Sequence, residues 1–289
     1  MKTLKKITLF LSCGLLVTQI SFAQIRQELL KSIHSDRVSL FTVWDGNRKL
    51  GSSLWINRTE NSEIKAQYFA DKMVYSSIYD RYNSWKNGKK IIALCSGAFT
   101  DDYTKPKGIT IDYGTIINRN IDIKMNGLVI VYPTGGIVVS DISKGDLKIG
   151  NNNSSLNIRN EYDKQKFLTF AQNEKLTAFQ TQLLVFNNVL QCKANKELRE
   201  RRFLVIAKGK NNEILHIIFD IPESVYLLDT AQKILDFFKN SGRTIIGMLN
   251  LDTGSYNMIN VYDAAGKKVP EFKGSYDILG AINLVTYYY

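Results

Sequence analysis

Short apolar runs bounded by turn residues recur along most of this sequence, and they restrict its fold more than any other feature. The runs have the length and the β-branched content of strands, and some are separated by tight-turn signals. The strand-like runs are Val38–Trp44, Leu50–Asn57, Ile91–Cys95, Gly108–Tyr113, Gly127–Tyr132, Gly136–Ser140, Phe179–Phe186, Arg202–Ala207, Glu213–Phe219, Thr244–Leu251, Tyr256–Tyr262 and Ala281–Tyr289. Apolar residues at helical spacing instead predict helices over Asp71–Trp85, Glu161–Glu174 and Tyr226–Asn240. This mixture predicts an α+β fold: a single domain with a mixed, mostly antiparallel β-sheet and interspersed helices.

The first 23 residues have the organisation of a secretory signal peptide. Lys2, Lys5 and Lys6 give a positive start, an apolar run spans Ile7–Val17, and Ser21-Phe22-Ala23 is a small-x-small cleavage site. Residues 1–23 are therefore predicted to be removed, and the mature chain is expected to be exported, to the periplasm or the extracellular space. No later run approaches the roughly 20 apolar residues of a membrane span, so none is predicted.

Histidine and cysteine are scarce after residue 23, and this limits the available chemistry. The chain holds His34, His216, Cys95 and Cys192, without a recognisable zinc or nucleophile motif. We therefore predict neither a Ser-His-Asp or Cys-His hydrolase nor a histidine-rich zinc enzyme, and we predict no metal and no cofactor. His216 is predicted to pack within a strand. A disulfide between Cys95 and Cys192 stays open, because sequence does not give the distance between their Cα atoms.

The chain is strongly basic, with 38 Lys and Arg against 27 Asp and Glu and a net charge of +11. Loss of the three signal-peptide lysines leaves +8, of which the segment Lys193–Lys210 holds +5. Such an excess predicts an anionic partner. Export and the lack of a basic–aromatic recognition motif argue against nucleic acid. A phosphorylated glycan or another anionic carbohydrate is therefore the expected partner.

Four segments place small or polar residues next to an apolar strand, where sheets usually present functional groups. In the last of them, backbone N–H groups and a carboxylate lie together. Each also has a purely structural interpretation: an Asx turn, an exposed strand face or a solvated charge run. The four segments are Cys95-Ser96-Gly97-Ala98-Phe99, Gln180-Thr181-Gln182, Arg199-Glu200-Arg201-Arg202 and Asp252-Thr253-Gly254-Ser255.

The order of these segments resembles the phosphodiester glycosidase family. That family's Asn-Gly-Gly-Phe-Phe strand end is similar to Cys95–Phe99, and its Gln-containing strand is similar to Gln180–Val185. Its Arg-Thr-Ala-Ile-Gly strand, followed by a strand ending in Asp, is similar to Arg201–Asp220. Its Leu-Asn-Leu-Asp-Gly-Gly-Gly-Ser block, the most specific of the four, is similar to Leu249–Ser255.

The resemblance covers roughly residues 70–289, which are predicted to form a phosphodiester glycosidase-like domain. Residues 24–69 are predicted to form an N-terminal β-hairpin region, because Asp45-Gly46-Asn47 separates two strand-like runs. The loop-like segment Gly150–Ser155 is interpreted as a surface insertion, with a domain boundary as the alternative. The chain departs from the family pattern in two blocks: Cys95 and Ser96 replace Asn and Gly, and Thr253 interrupts the glycine turn.

The resemblance implies that Asp252, Asp220 and Arg201 are catalytic. Asp252 would act as the carboxylate at the anomeric carbon, Arg201 would bind phosphate, and Asp220 would orient the site or share acid–base duty. Arg202 is the alternative to Arg201 as the family's arginine. The residues implied to bind substrate are Cys95, Ser96, Gly97, Gln180, Arg202, Thr253, Gly254 and Ser255.

Three functions follow from these residues. The first is an exported hydrolase that cleaves glycosyl phosphodiesters, which are sugar-1-phosphate linkages, in envelope or host-derived glycans. The second is a catalytically impaired glycan- or phosphate-binding protein on the same fold. The third is a surface-associated protein whose basic face holds anionic polymers without a defined pocket. Convergence of Asp252, Asp220 and Arg201 on one cleft would favour the first. Occupation of that cleft by Tyr256 or Cys95 would favour the second.

Overall fold

The strand-like runs of the sequence form two packed β-sheets in the computed structural model of the chain. The structure describes residues 24–34, 36–58, 63–71, 78–101, 105–150, 155–193, 196–255, 257–275 and 277–289. The predicted signal peptide, Tyr256 and residues 151–154 of the loop-like segment lie outside these ranges.

The strands and helices of the described residues have the following bounds. The strands are β1 (Ile25–His34), β2 (Val38–Asp45), β3 (Arg48–Arg58), β4 (Lys65–Ala70), β5 (Ile91–Cys95), β6 (Thr100–Asp101), β7 (Lys105–Pro106), β8 (Thr110–Asp112), β9 (Thr115–Asn118), β10 (Gly127–Val131), β11 (Ile137–Asp141), β12 (Leu147–Lys148), β13 (Ser155–Leu156), β14 (Thr177–Phe186), β15 (Val189–Leu190), β16 (Leu198–Lys208), β17 (Ile214–Tyr226), β18 (Thr244–Leu251), β19 (Ile259–Val261) and β20 (Asn283–Tyr288). The helices are α1 (Ile78–Trp85), α2 (Glu161–Asn173) and α3 (Leu227–Asn240), with a 3₁₀ turn at Ile278–Gly280.

The larger sheet has twelve strands, and its main path runs β1-β2-β3-β17-β16-β18-β14-β10-β11. A second sheet has four strands in the order β19-β5-β20-β4. Within the described ranges, every ladder between two strands is antiparallel, and three helices are interspersed among the strands. The predicted α+β fold, a single domain with a mostly antiparallel sheet, is therefore confirmed.

The large sheet is covered on one face by α3 and on the other by the four-stranded sheet, as the alternating side chains of β16 show. Phe203 and Val205 belong to the apolar cluster that includes the buried face of α3. Leu204 and Ile206, which point the other way, belong to the cluster that includes the four-stranded sheet. Because successive side chains of a strand alternate between faces, a continuous apolar run is the sequence expected for a strand buried on both sides.

The segment between β18 and β19 connects the two sheets and positions the candidate site. The chain leaves the large sheet after Leu251, and Met258 precedes its entry into the small sheet. β19 then pairs with β5, with Ile259 opposite Cys95. The Asp252 segment is therefore held between the end of a central strand of one sheet and the end of β5 in the other.

Some elements differ from the sequence-based expectations. The predicted hairpin is confirmed as β2 and β3. β3 also pairs with β17, so the hairpin extends the large sheet, and the boundary at residue 70 stays a prediction. β1 and β4 were not predicted. Helix α1 covers Ile78–Trp85 of the helix predicted over Asp71–Trp85, and residues 72–77 of that prediction lie outside the described ranges. Among the described residues, no helix is long and apolar enough to cross a membrane.

Candidate functional site

A cleft of about 610 Å³ opens where the ends of β16 and β18 meet the turn that follows β5. Asp252 and Arg201, two of the three residues predicted to be catalytic, both line it. Asp220 does not. The full set of lining residues is Phe99, Thr100, Lys107, Arg199, Glu200, Arg201, Asp252, Thr253, Gly254 and Ser255.

The Asp252 carboxyl group is shielded from solvent although it lines the cleft, since the residue is only 5% exposed. Its Oδ1 accepts a hydrogen bond from the Gly254 N–H at 2.8 Å, and its own N–H donates to the Gly97 carbonyl at 3.1 Å. Burial raises the pKa of Asp252, and the Gly254 N–H and the Arg202 guanidinium oppose that rise. A carboxyl group with a raised pKa in a cleft is a typical functional-site feature.

The cleft also carries positive charge opposite the Asp252 carboxyl group. The cationic residues that line it are Arg199, Arg201 and Lys107. Arg201 Nη2 donates to the Glu197 carbonyl at 3.2 Å, whereas its Nε is buried without a hydrogen-bond partner among the described residues. Burial and the neighbouring Arg199 lower the pKa of Arg201. A buried guanidinium N–H without a partner is costly to leave unsatisfied.

Arg202 and Asp220 lie beneath the cleft wall rather than on it. Arg202 is fully buried, and its Nε and Nη2 donate to Asp220 Oδ1 at 3.0 and 2.8 Å. Nη2 also donates to Asn257 Oδ1 at 2.7 Å, and Nη1 donates to the Met258 carbonyl at 3.0 Å. The donors of Arg202 are therefore engaged with protein groups, and its implied substrate-binding role stays a prediction. Asp220, as the partner of Arg202, is absent from the lining of the cleft.

Gln180 does not line the cleft, and its side chain is hydrogen-bonded to backbone groups in the core. It is fully buried, and its Oε1 accepts from the N–H groups of Ile109 and Asp122 at 3.1 and 3.0 Å. Its Nε2 donates to the carbonyls of Asp122 and Met125, both at 2.6 Å. All four hydrogen-bonding positions of the amide are therefore occupied by the segment before β10. The implied substrate contact by Gln180 is not available in this arrangement.

The turn after β5 is held from behind by Asn283. Asn283 Oδ1 accepts from the N–H groups of Gly97 and Ala98 at 3.0 and 2.8 Å, so these amides do not point freely into the cleft. Ser96 is buried, and its Oγ accepts from the Met258 N–H at 3.2 Å. Cys95 is fully buried, and burial raises the pKa of its thiol to about 11. Of this block, Gly97 contacts Asp252 through a backbone hydrogen bond, and Phe99 lines the cleft.

Thr253, Gly254 and Ser255, which the resemblance implies bind substrate, line the cleft and are called its rim here. Thr253 Oγ1 donates to the Glu200 carbonyl at 3.0 Å, which joins the rim to the start of β16. The Glu200 side chain accepts from Asn257 Nδ2 at 3.0 Å. Asn257 thus touches both the buried Arg202 and the exposed Glu200. Tyr256, the residue expected to decide whether the cleft is filled, lies outside the described residues.

Sequence reasoning did not assign five residues of the cleft wall: Phe99, Thr100, Lys107, Arg199 and Glu200. Arg199 and Glu200 lie within the basic segment that the charge count had located, but a charge run does not show which side chains face a cleft. Lys107 gave no sequence signal, because it is brought to the site by pairing of β6 with β7. The two cysteines are free thiols, Cys95 buried and Cys192 half-buried. No group of three or more metal-ligating side chains gathers in the part of the chain that the structure describes.

No protein family model matches the sequence, and no curated protein matches it. Among solved structures, the chain is similar to the catalytic domain of zebrafish N-acetylglucosamine-1-phosphodiester alpha-N-acetylglucosaminidase, auto-inhibited by its pro-peptide. That match has 13% identity and a TM-score of 0.48, and it covers 91% of this chain and 87% of that chain. A hypothetical protein from Synechocystis is also similar, with 11% identity and a TM-score of 0.45, over 92% of this chain and 62% of that chain. Both are distant likenesses at the level of the fold.

Proposed function

We propose that this chain is an exported hydrolase that cleaves glycosyl phosphodiesters, the sugar-1-phosphate linkages of envelope or host-derived glycans. One observation carries the proposal: a single cleft holds the shielded carboxyl group of Asp252 together with the cationic side chains of Arg199, Arg201 and Lys107. A phosphodiester joined to a sugar needs both groups, since negative charge gathers on the departing phosphate while positive charge grows at the anomeric carbon.

The three cations are suited to hold the phosphate. Arginine presents a planar fork of N–H donors to phosphate oxygens, and such charge-assisted hydrogen bonds are stronger than neutral ones. Arg201 is the central candidate, because it lines the cleft beside Asp252 and forms no ion pair with a carboxylate within the described part of the chain. Arg199 is exposed and its Nε pairs with Glu197 Oε2 at 2.9 Å, so it contributes mainly to the field at the mouth of the cleft.

Asp252 is proposed to act at the anomeric carbon. In the ionised form, its carboxylate stabilises the oxocarbenium-like transition state or attacks that carbon. The bond between the anomeric carbon and the phosphate oxygen breaks, and its electron pair leaves with the phosphate monoester. Water then supplies the hydroxyl group of the released sugar. A phosphate monoester is a good leaving group, so strong protonation of the leaving oxygen is not required.

Glu200 is the second carboxylate on the cleft wall. We assign it the acid–base role that the resemblance implied for Asp220, because that role needs contact with substrate and Asp220 does not line the cleft. Asn257 Nδ2 holds the Glu200 side chain at 3.0 Å. The same Asn257 is fixed by Arg202, which is paired with Asp220. We therefore assign proton transfer with water to Glu200, and the positioning of Asn257 and of the 252–258 segment to Arg202 and Asp220.

A glycan- or phosphate-binding protein without turnover is the second candidate. It is favoured by the turn after β5, where the Gly97 and Ala98 amides are taken by Asn283 instead of facing a ligand. It uses the same cations and the same anionic carbohydrate. The two candidates therefore differ in whether a sugar is released after binding.

The test is incubation of the purified protein, without residues 1–23, with a panel of sugar-1-phosphodiesters, followed by measurement of free sugar. The matched sugar-1-phosphate monoesters and p-nitrophenyl glycosides serve as control substrates. We expect sugar release from at least one phosphodiester and much slower release from the glycosides, which lack the phosphate. Saturable binding of the phosphodiesters without release would favour the binding protein. Equal rates on phosphodiesters and glycosides would contradict a phosphate-dependent site.

A further inference from the structure

A second concave site lies at the other end of the β5/β19 pair, away from Asp252. It is a cleft of about 370 Å³ between the segment that follows α1 and the turn that follows β19. An adjoining hollow of about 240 Å³ shares Tyr82, Lys86 and Tyr262 with it. We call the two together the lysine groove. The larger cleft of the groove lies at the start of β5, and the Asp252 cleft lies beyond its end, so the five residues of that strand separate the two, roughly 17 Å of extended chain.

Three lysines from one short segment line the groove: Lys86, Lys89 and Lys90. The chain is turned there by Gly88, whose φ of +74° is easily reached without a Cβ atom. Lys89 Nζ donates to the Trp85 carbonyl at 2.7 Å, and the Lys86 ammonium lies 5.5 Å from the centre of the Tyr82 ring. Neither contact neutralises a positive charge.

Two carboxylates face these three lysines in the groove: Asp263 lines the cleft, and the exposed Asp277 lines the adjoining hollow, where its Oδ1 accepts from the Ile278 N–H at 2.5 Å. Asp263 Oδ1 accepts from the N–H groups of Ala265 and Lys267 at 3.0 and 2.9 Å, so this carboxylate caps its own turn. In the described ranges, Lys86, Lys89 and Lys90 have no carboxylate within ion-pair distance. By contrast, Lys164 and Lys233 elsewhere on the surface have such partners at 2.5 and 2.8 Å. A concave surface with unpaired charge of one sign concentrates ions of the opposite sign.

The groove also contains the groups that recognise sugar rings. Tyr82 and Tyr262 form its floor, since Tyr82 is only 3% exposed and Tyr262 is half-buried. Tyr79 stands at the edge of the adjoining hollow with 37% of its surface exposed. Asn83 and Asn260 line the same hollow and can pair with hydroxyl groups. Tyrosine combines an apolar ring face with a polar tip, which suits the apolar face and hydroxyl groups of a saccharide.

We propose that the lysine groove binds an anionic polysaccharide, with the lysines contacting its acidic groups and with Tyr79 and Tyr262 contacting its sugar rings. The groove shares no lining residue with the Asp252 cleft, and the proposal does not depend on catalysis there. Single-stranded nucleic acid is the less suitable polyanion, because successive bases stack on a series of aromatic faces that project from the surface. Of the three tyrosines that line the groove, only Tyr79 is exposed.

The test measures affinity by isothermal titration with polygalacturonate, with neutral dextran and single-stranded DNA as comparison ligands. Lys86→Ala/Lys90→Ala removes two exposed lysines of the groove, and Lys124→Ala/Lys148→Ala removes two exposed lysines outside it. We expect the groove variant to weaken polygalacturonate binding about tenfold, as two exposed charge contacts predict, and the control variant to change it less than twofold. Thermal unfolding of both variants confirms that the fold is retained.

Tyr79→Ala tests the saccharide part of the proposal, with Tyr79→Phe as the control that keeps the ring. We expect Tyr79→Ala to weaken polygalacturonate binding severalfold and Tyr79→Phe to preserve most of it. Equal losses in the two lysine pairs would show an effect of overall charge and would overturn the proposal. So would the absence of polygalacturonate binding, or DNA binding of equal strength that is insensitive to Tyr79→Ala.

Discussion

Arg202 and Asp220 lie opposite each other on β16 and β17 and form a buried ion pair, with Nε and Nη2 of the guanidinium donating to one carboxylate oxygen at 3.0 and 2.8 Å. The remaining donors of Arg202 hold Asn257 and the Met258 carbonyl. The pair therefore fixes the segment that crosses from the large sheet to the small one. Asp252 begins that segment, so the position of its carboxyl group in the cleft depends on this ion pair. Neither Arg202 nor Asp220 lines the cleft.

The first prediction concerns the stability that this pair confers. Arg202→Met leaves the Asp220 carboxylate buried without its partner, so we expect a loss of about 3–5 kcal/mol in the free energy of unfolding. Urea denaturation measures it. Arg48→Met is the control, because Arg48 pairs with Glu223 at the same 2.8 Å but in solvent, and a loss below about 1 kcal/mol is expected there. Similar losses in both variants would contradict the role of the buried pair.

The second prediction concerns Gln180, which the sequence placed at the substrate and the structure places in the core. Gln180→Leu leaves four backbone groups of Ile109, Asp122 and Met125 without their partner, so we expect about 2–4 kcal/mol of destabilisation. Gln182→Leu is the control, since Gln182 accepts one side-chain hydrogen bond from Asn250. A Gln180→Leu protein with unchanged stability and weakened substrate binding would restore the sequence-based interpretation.

Sequence alone predicted the fold class and most central strands, because buried strands carry long apolar runs. The bounds of β5 and β18 agree with prediction at both ends. His216 is buried within β17, as predicted. β1 was not predicted because most of its side chains are exposed, and its sequence therefore lacks the apolar run of a buried strand. His34, which ends that strand, is buried and contacts the Tyr289 hydroxyl at 2.6 Å, a partner 255 residues away.

The candidate site was predictable in part, for a similar reason. Asp252 and its rim follow an apolar strand directly, so their position at a strand end is a local property. Whether a polar side chain turns toward the cleft or the core is not local. Arg201 and Arg202 are adjacent on one strand and point to opposite sides, and only the position of Asp220 on the neighbouring strand determines which of them is buried in an ion pair. Lys107 reaches the cleft through a pairing that no local pattern indicates.

The third prediction concerns the proposed phosphate contact. Arg201→Met removes a charged donor from the cleft, and we expect KM for a sugar-1-phosphodiester to rise about ten- to a hundredfold. Arg201→Lys, which keeps the charge but loses the planar fork, should recover part of the loss. Arg159→Met, a change at an exposed arginine outside the cleft, serves as the control in steady-state kinetics. An unchanged KM in Arg201→Met together with lower stability would make Arg201 a structural residue.

The fourth prediction follows from the pKa of Asp252, which burial raises. A carboxyl group with a higher pKa in the folded than in the unfolded state binds more protons when folded, so its contribution to stability decreases as the pH rises between the two pKa values. Asp252→Asn keeps the hydrogen bond from Gly254 without the buried charge. We therefore expect the variant to be more stable than the wild type at pH 7, as measured by urea denaturation.

This difference should shrink as the pH falls through the folded-state pKa and should disappear below the ordinary value of 3.8. Asp141→Asn is a matched control, since Asp141 is buried and its Oδ1 likewise accepts from the N–H two residues further on, that of Ser143 at 2.9 Å. A destabilised Asp252→Asn variant at pH 7 would show that the carboxylate is stabilised, not penalised, by its surroundings.

The most direct test of the account is the rate of sugar release from a sugar-1-phosphodiester by Asp252→Asn, compared with the wild type and with Asp141→Asn. Loss of the reacting carboxylate predicts a fall in kcat of at least about a thousandfold, with folding and substrate binding retained. Asp141→Asn should keep the wild-type rate. A wild-type rate of sugar release by folded Asp252→Asn would contradict the assignment of this cleft as the active site.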